Sequence, residues 1–209
     1  MKKTFQLFLL TFSVILLVAC DNSLKRADRA IGLIQENVTQ IVNELNEVQV
    51  LENNLQSEFE TMLQSSEDLT IFHANDSRVQ VNIDNRKEHL ESILESIKQL
   101  DELISELENL KSSDTIPTTQ MDQVITYLND LSTDLNTYII DYQENLVEEE
   151  ITFKSIANPE TDYRSFFGVF DNINTLATEN NINLDKILVH FEPLTSLLIN
   201  LKVFLVDAQ

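Results

Sequence analysis

Residues 31–50, Ile31-Gly32-Leu33-Ile34-Gln35-Glu36-Asn37-Val38-Thr39-Gln40-Ile41-Val42-Asn43-Glu44-Leu45-Asn46-Glu47-Val48-Gln49-Val50, decide the fold. Ile31, Ile34, Val38, Ile41, Leu45 and Val48 recur at alternating spacings of three and four, the seam of a helix packed along another helix. After a phase shift at Glu52, Leu51, Leu55, Phe59, Met62 and Leu63 carry the seam on. A helix of about 40 residues is about 60 Å long at 1.5 Å per residue. A stripe of that length needs partner helices along its whole extent.

The downstream sequence supplies them. Ser65 to Ser77 carries end and start signals, with Asp76 or Ser77 placed to cap a second helix. In that helix Ile83, Leu90, Ile97 and Ile104 repeat every seven residues, joined by Ile93, Leu100 and Leu107. Leu94, Leu103 and Leu110 widen the stripe, as burial against two neighbours requires. Arg86 takes a seam position, where its stem is expected to lie along the bundle with its head in water. A break at Lys111 to Thr119 holds Pro117. Met121, Val124, Leu128, Leu131, Leu135, Tyr138 and Tyr142 then form a third seam, closing near a Glu148-Glu149-Glu150 run expected to be solvated. Beyond Asn158-Pro159, Phe166, Phe167, Phe170, Ile173 and Leu176 suggest a short aromatic helix. A polar joint at Asn180-Asn181-Ile182-Asn183 and a last helix kinked at Pro193 follow. The expected fold is all-α: an elongated antiparallel helical bundle of three long coiled-coil-like helices plus two shorter C-terminal helical pieces.

Upstream of the seam the reading changes from fold to address. Lys2 and Lys3 precede a mostly apolar run to Ala19, shorter than the about 20 residues that a spanning helix needs. The run ends in Leu17-Val18-Ala19-Cys20, which resembles the bacterial lipobox. In that motif the cysteine thiol receives a diacylglyceryl group and the chain is cut just before it. The expected organisation is a signal peptide over 1–19, a lipidated Cys20 with a short tether over 20–27, and one helical domain over 28–209, its first helix opening near Leu24 to Ala27. Two acyl chains hold a protein stably to a bilayer, at about 0.8 kcal/mol per buried methylene. Cys20 is the only cysteine, so with its sulfur acylated no thiol remains for a disulfide, a metal or a nucleophile.

The formal charge is −21, or about −23 once Lys2 and Lys3 are removed. No nucleic acid is expected as a partner, because phosphate binding needs clustered Lys and Arg. Lys25, Arg26 and Arg29 form a candidate membrane-proximal basic collar, worth about 1 kcal/mol per residue against anionic headgroups. Two glycines and three prolines in 209 residues leave little room for hairpins or phosphate-cradling loops. His73, His89 and His190 are scattered, expected at the surface, and without the i, i+4 partner of a zinc helix. There is no Glu-x-x-His pair, no EF-hand spacing and no G-x-S-x-G elbow. No catalytic residue, metal or cofactor is expected.

Several segments together resemble the YkyA-like lipoproteins of Gram-positive bacteria. They are the lipobox, Leu51-Glu52 to Leu55-Gln56-Ser57-Glu58-Phe59-Glu60, Arg86 with Glu88-His89-Leu90, Tyr138, Tyr142 and Leu146 ahead of Glu148-Glu149, Asp162-Tyr163, and Ile173-Asn174. The resemblance implies an elongated helical bundle that binds cell wall, and the lipobox-like ending implies a lipid-anchored, extracytoplasmic place on the outer face of the cytoplasmic membrane. It brings no catalytic residues. The alternative is an adaptor or sensory helical module whose partner is another membrane or envelope protein.

Overall fold

A computed structural model describes residues 2–65, 68–158 and 160–208, with the backbone alone for residues 2–22, 163 and 165. They form four α-helices: α1 (Lys2–Ser65), α2 (Arg78–Leu110), α3 (Thr118–Ile156) and α4 (Tyr163–Asp207). A short 3-10 helix, Leu69–His73, lies between α1 and α2, and no strand occurs among the described residues. The fold is an all-α helical bundle.

Local chemistry sets most of the helix ends. Ser77 Oγ accepts the Gln80 N–H at 3.3 Å, so Ser77 is the N-cap of α2. The Asp68 side chain caps the 3-10 turn by accepting the Thr70 N–H at 2.8 Å. Pro117 directly precedes α3, and its carbonyl takes the Met121 N–H at 3.0 Å.

Helical backbone runs through 20–27, because the stretch before Ala30 holds no glycine or proline to stop it. Leu24 and Ala27 are already buried there, so the buried face starts about two turns before Ile31. One expectation changes. The two C-terminal pieces are one helix, α4, with Pro193 inside it. The expected joint at 180–183 has no helix breaker, and Asn180 is buried and hydrogen-bonded across the bundle. Its amide therefore does not compete for the local backbone.

The chain groups into two compact units. The first comprises Met1–Asn37, Gln99–Ser132 and His190–Gln209. There Arg26 pairs with Glu106 and Asn37 donates to Gln99, so α1 and α2 run antiparallel. Leu194, Leu198, Leu201 and Leu205 give α4 a buried stripe, while Ile199, Val203 and Val206 stay exposed. Among the described residues, one helical stretch, Phe166–Asp207, is long and apolar enough by composition to cross a membrane.

The second unit comprises Val38–Lys98 and Thr133–Val189. Its register is read from cross-helix contacts. Glu44 meets His89 and Asn82 meets Leu51, so α1 opposes α2. Asp141 meets Asn183 and Thr152 meets Asn172, so α3 opposes α4. At one end the Phe59 ring lies 5.1 Å from Phe72, 5.7 Å from Phe153 and 5.0 Å from Phe170, centroid to centroid. Phe59→Ala empties the centre of this cluster and is expected to cost about 3–5 kcal/mol. Urea unfolding of the full chain checks this, and a loss under about 1 kcal/mol would contradict the central place of the ring.

Candidate functional site

The middle of the second unit holds a layer of polar side chains where a bundle ordinarily places leucine. Arg86 on α2 is fully buried, and so is Glu149 on α3. Arg86 Nη1 donates to Glu149 Oε1 at 3.1 Å and Nη2 donates to Oε2, a bidentate pair. Its Nε donates to Asn82 Oδ1 at 2.9 Å, one turn back on α2, and Nη1 also reaches the Tyr142 hydroxyl at 3.2 Å. Asn82 in turn donates to the Leu51 carbonyl of α1 at 2.8 Å. The guanidinium so places its donors on partners from two helices, as a buried cation must.

The layer continues into α1 and α4. Tyr142 donates its hydroxyl to Glu52 Oε2 at 3.0 Å, and Asn180 Nδ2 donates to Glu52 Oε1 at 3.2 Å. Gln49, within α1, is the third donor to this carboxylate, reaching Oε2 at 3.2 Å. Asn145 Nδ2 donates to Asn180 Oδ1 at 2.8 Å, closing the chain of contacts. Burial raises the Glu52 carboxyl above its ordinary range, and the Asn180, Arg86 and Tyr142 interactions only partly oppose this. Burial likewise pushes the Tyr142 and Tyr138 phenols up.

Glu52 and Glu149 are also the acidic lining of a cleft of about 310 Å³ between α1, α3 and α4. Gln49, Asn53, Gln56, Asn174 and Asn181 bring five side-chain amides to it. Leu55, Phe59, Phe153, Phe170 and Ile173 form its apolar side. Such a surface offers acceptors, amide edges and a hydrophobic wall, the mixture that orients a small ligand. Among the described residues no group of three or more His, Cys, Asp or Glu could hold a metal ion.

Several residues stand elsewhere than the sequence suggested. Arg86 does not snorkel, because Glu149, Tyr142 and Asn82 satisfy its head inside the bundle. The Glu148-Glu149-Glu150 run is not uniformly solvated: Glu149 is buried, and Glu150 bonds Lys87 and Lys154 at 3.1 and 2.5 Å. His89 is half-buried, with Nδ1 2.6 Å from Glu44 Oε2, while His73 is exposed. The side chains of Leu17, Val18, Ala19 and Cys20 lie outside the described residues. Lys25, Arg26 and Arg29 are exposed on α1, with Arg26 Nη2 3.3 Å from Glu106.

The buried pair and Glu52 have opposite stability signatures. Arg86→Met strands a buried carboxylate and is expected to cost about 3–5 kcal/mol, much of which Arg86→Met/Glu149→Leu should recover. Chemical denaturation of the single and double variants measures both. Glu52 carries a raised folded pKa, so its contribution to stability is complete below the ordinary glutamate range and lost as pH rises through the raised value. Glu52→Gln is therefore expected to raise the melting temperature by a few degrees at pH 7, the gain vanishing toward pH 4. Melting curves across that interval test the sign.

A family model described as “Putative cell-wall binding lipoprotein”, YkyA, matches residues 23–186. No curated protein and no solved structure matches the chain. The matched stretch takes in Glu52, Arg86, Tyr142, Glu149 and Asn180, and so the whole polar layer. Because it covers well over half of the 209 residues and reaches into all four helices, the chain belongs to the YkyA family.

Proposed function

We propose that the protein is a non-enzymatic, lipid-anchored binding protein of the bacterial cell envelope, which holds cell wall through the cleft of its second unit. The observation that carries this reading is the cleft itself, polar, aromatic and set on a buried network, in a chain of a family named for wall binding. Its carboxylates suit recognition better than proton transfer. Glu149 is chelated by Arg86, and Glu52 already accepts three donors, so both are fixed acceptors. Acid–base work needs a carboxyl free to exchange its proton with a reacting group.

The sequence supports an anchor at Cys20 carrying a diacylglyceryl thioether, on the outer face of the cytoplasmic membrane. Lys25, Arg26 and Arg29 follow within ten residues and would meet anionic headgroups there. A Gram-positive wall is polyanionic, and a body of about −23, the −21 of the whole chain less Lys2 and Lys3, is repelled by it at long range. Salt confines that repulsion to about 8 Å, so contact depends on what the cleft offers at close range.

Two measurements test this. Mass spectrometry of the native protein is expected to show a chain beginning at Cys20 with diacylglyceryl on its sulfur; a chain beginning at Met1 with a free thiol removes the anchor. The full-length protein in detergent is expected to sediment with purified wall and no added protein. Retention only when a second envelope protein is supplied would favour the adaptor instead.

A further inference from the structure

We infer that the cleft recognises a primary ammonium group carried on an amide-bearing segment, such as a lysyl or other aminoacyl group. This deepens the wall-binding reading and rests on it only for the source of the ligand.

The charges do not balance at this place. Glu52 and Glu149 both line the cleft, yet among the described residues no Lys, Arg or His does. The one buried cation beside them, Arg86, is taken by Glu149 through both of its terminal nitrogens. Glu52 is held by Gln49, Tyr142 and Asn180, all neutral donors, and none cancels its charge. A carboxylate largely withdrawn from water and only partly balanced by Arg86 is costly, and a cation arriving from outside offsets that cost.

The remaining lining says what kind of cation. An ammonium presents three donors and no acceptor, which Glu52 and the amide oxygens of Gln49 and Asn53 can divide between them. Gln56, Asn174 and Asn181 each offer both a donor and an acceptor, the complement of a ligand's own amide edge. Phe153, Phe170 and Ile173 supply apolar surface for a methylene stem. The volume, about 310 Å³, stands at the small end of ligand sites, room for one side chain and its flanking amides. A phosphate would face two carboxylates, and a neutral sugar would leave Glu52 uncompensated. An ammonium also resolves the approach of an acidic protein to an acidic wall, since it is a positive feature of that surface.

The test is calorimetric titration of the full-length protein in detergent with acetyl-alanyl-lysyl-alanine amide. The same peptide acetylated at the lysine Nε, and a neutral trimer of N-acetylglucosamine, are the comparators. The lysyl peptide is expected to bind, with at least tenfold weakening on Nε-acetylation and again on Glu52→Gln. A melting curve of Glu52→Gln shows that its fold is intact. Equal binding of both peptides, preference for the sugar, no binding of the lysyl peptide, or unchanged binding by Glu52→Gln would each overturn the inference. If Glu52→Gln still sediments fully with wall, the ammonium site falls while wall binding stands. If the lysyl peptide binds as expected but wall is not retained, the wall reading falls and the site stands.

Discussion

The bidentate contact between Arg86 and Glu149 constrains everything around it in the second unit. A buried guanidinium cannot shed its charge, so the sequence has to surround it with acceptors or leave the bundle open at that level. Asn82 sits one turn back on α2, Tyr142 sits two turns before Glu149 on α3, and Asn82 is steadied by the Leu51 carbonyl of α1. Each partner is held by another partner. The network fixes the register of α1 against α2 and of α2 against α3, which hydrophobic seams alone specify loosely.

That same constraint sets up the cleft. Once Glu149 is claimed by Arg86 and Tyr142 turns its hydroxyl proton to Glu52, the Glu52 carboxylate is aimed and rigid but only partly balanced in charge. Asn180 reaches it from α4 and is itself held by Asn145. The cleft therefore owes its geometry to groups behind it, and its charge to the single acid that the interior does not neutralise. Natural binding sites commonly carry this kind of local disadvantage, which the rest of the fold offsets.

The all-α pattern was legible because heptads are legible, and α2 and α3 begin and end close to where Ser77, Leu110 and Pro117 indicated, whereas the continuity of α4 through 180–183 was not. The polar layer was not, for a reason visible in retrospect. Val48, Glu52, Leu55 and Phe59 keep the four-three-four spacing, so the apparent phase shift at Glu52 is a glutamate occupying a seam position. Glu149 does the same after Tyr142 and Leu146, and Asn180 after Leu176. A periodicity traced only through apolar residues steps over its own buried polar members. Arg86 was recognised on the seam, but the bland expectation for a lone arginine, a head in water, hid its partners. The proposed lipid attachment rests on another kind of information, the four residues Leu17-Val18-Ala19-Cys20.

The four helix contributions at Glu52, Arg86, Glu149 and Asn180 are far apart along the chain, and Arg86 with Glu149, like Glu52 with Asn180, are satisfied only once their helices meet. Assembly of this unit is thereby nearly all-or-none: a half-built intermediate exposes an orphaned ion and gains little. Such cooperativity slows folding, because distant segments must meet before the network rewards them. In return it suppresses partial opening, the state in which proteases cut. A chain with a single cysteine has no disulfide within itself to fall back on, and resistance to digestion rests instead on this simultaneity.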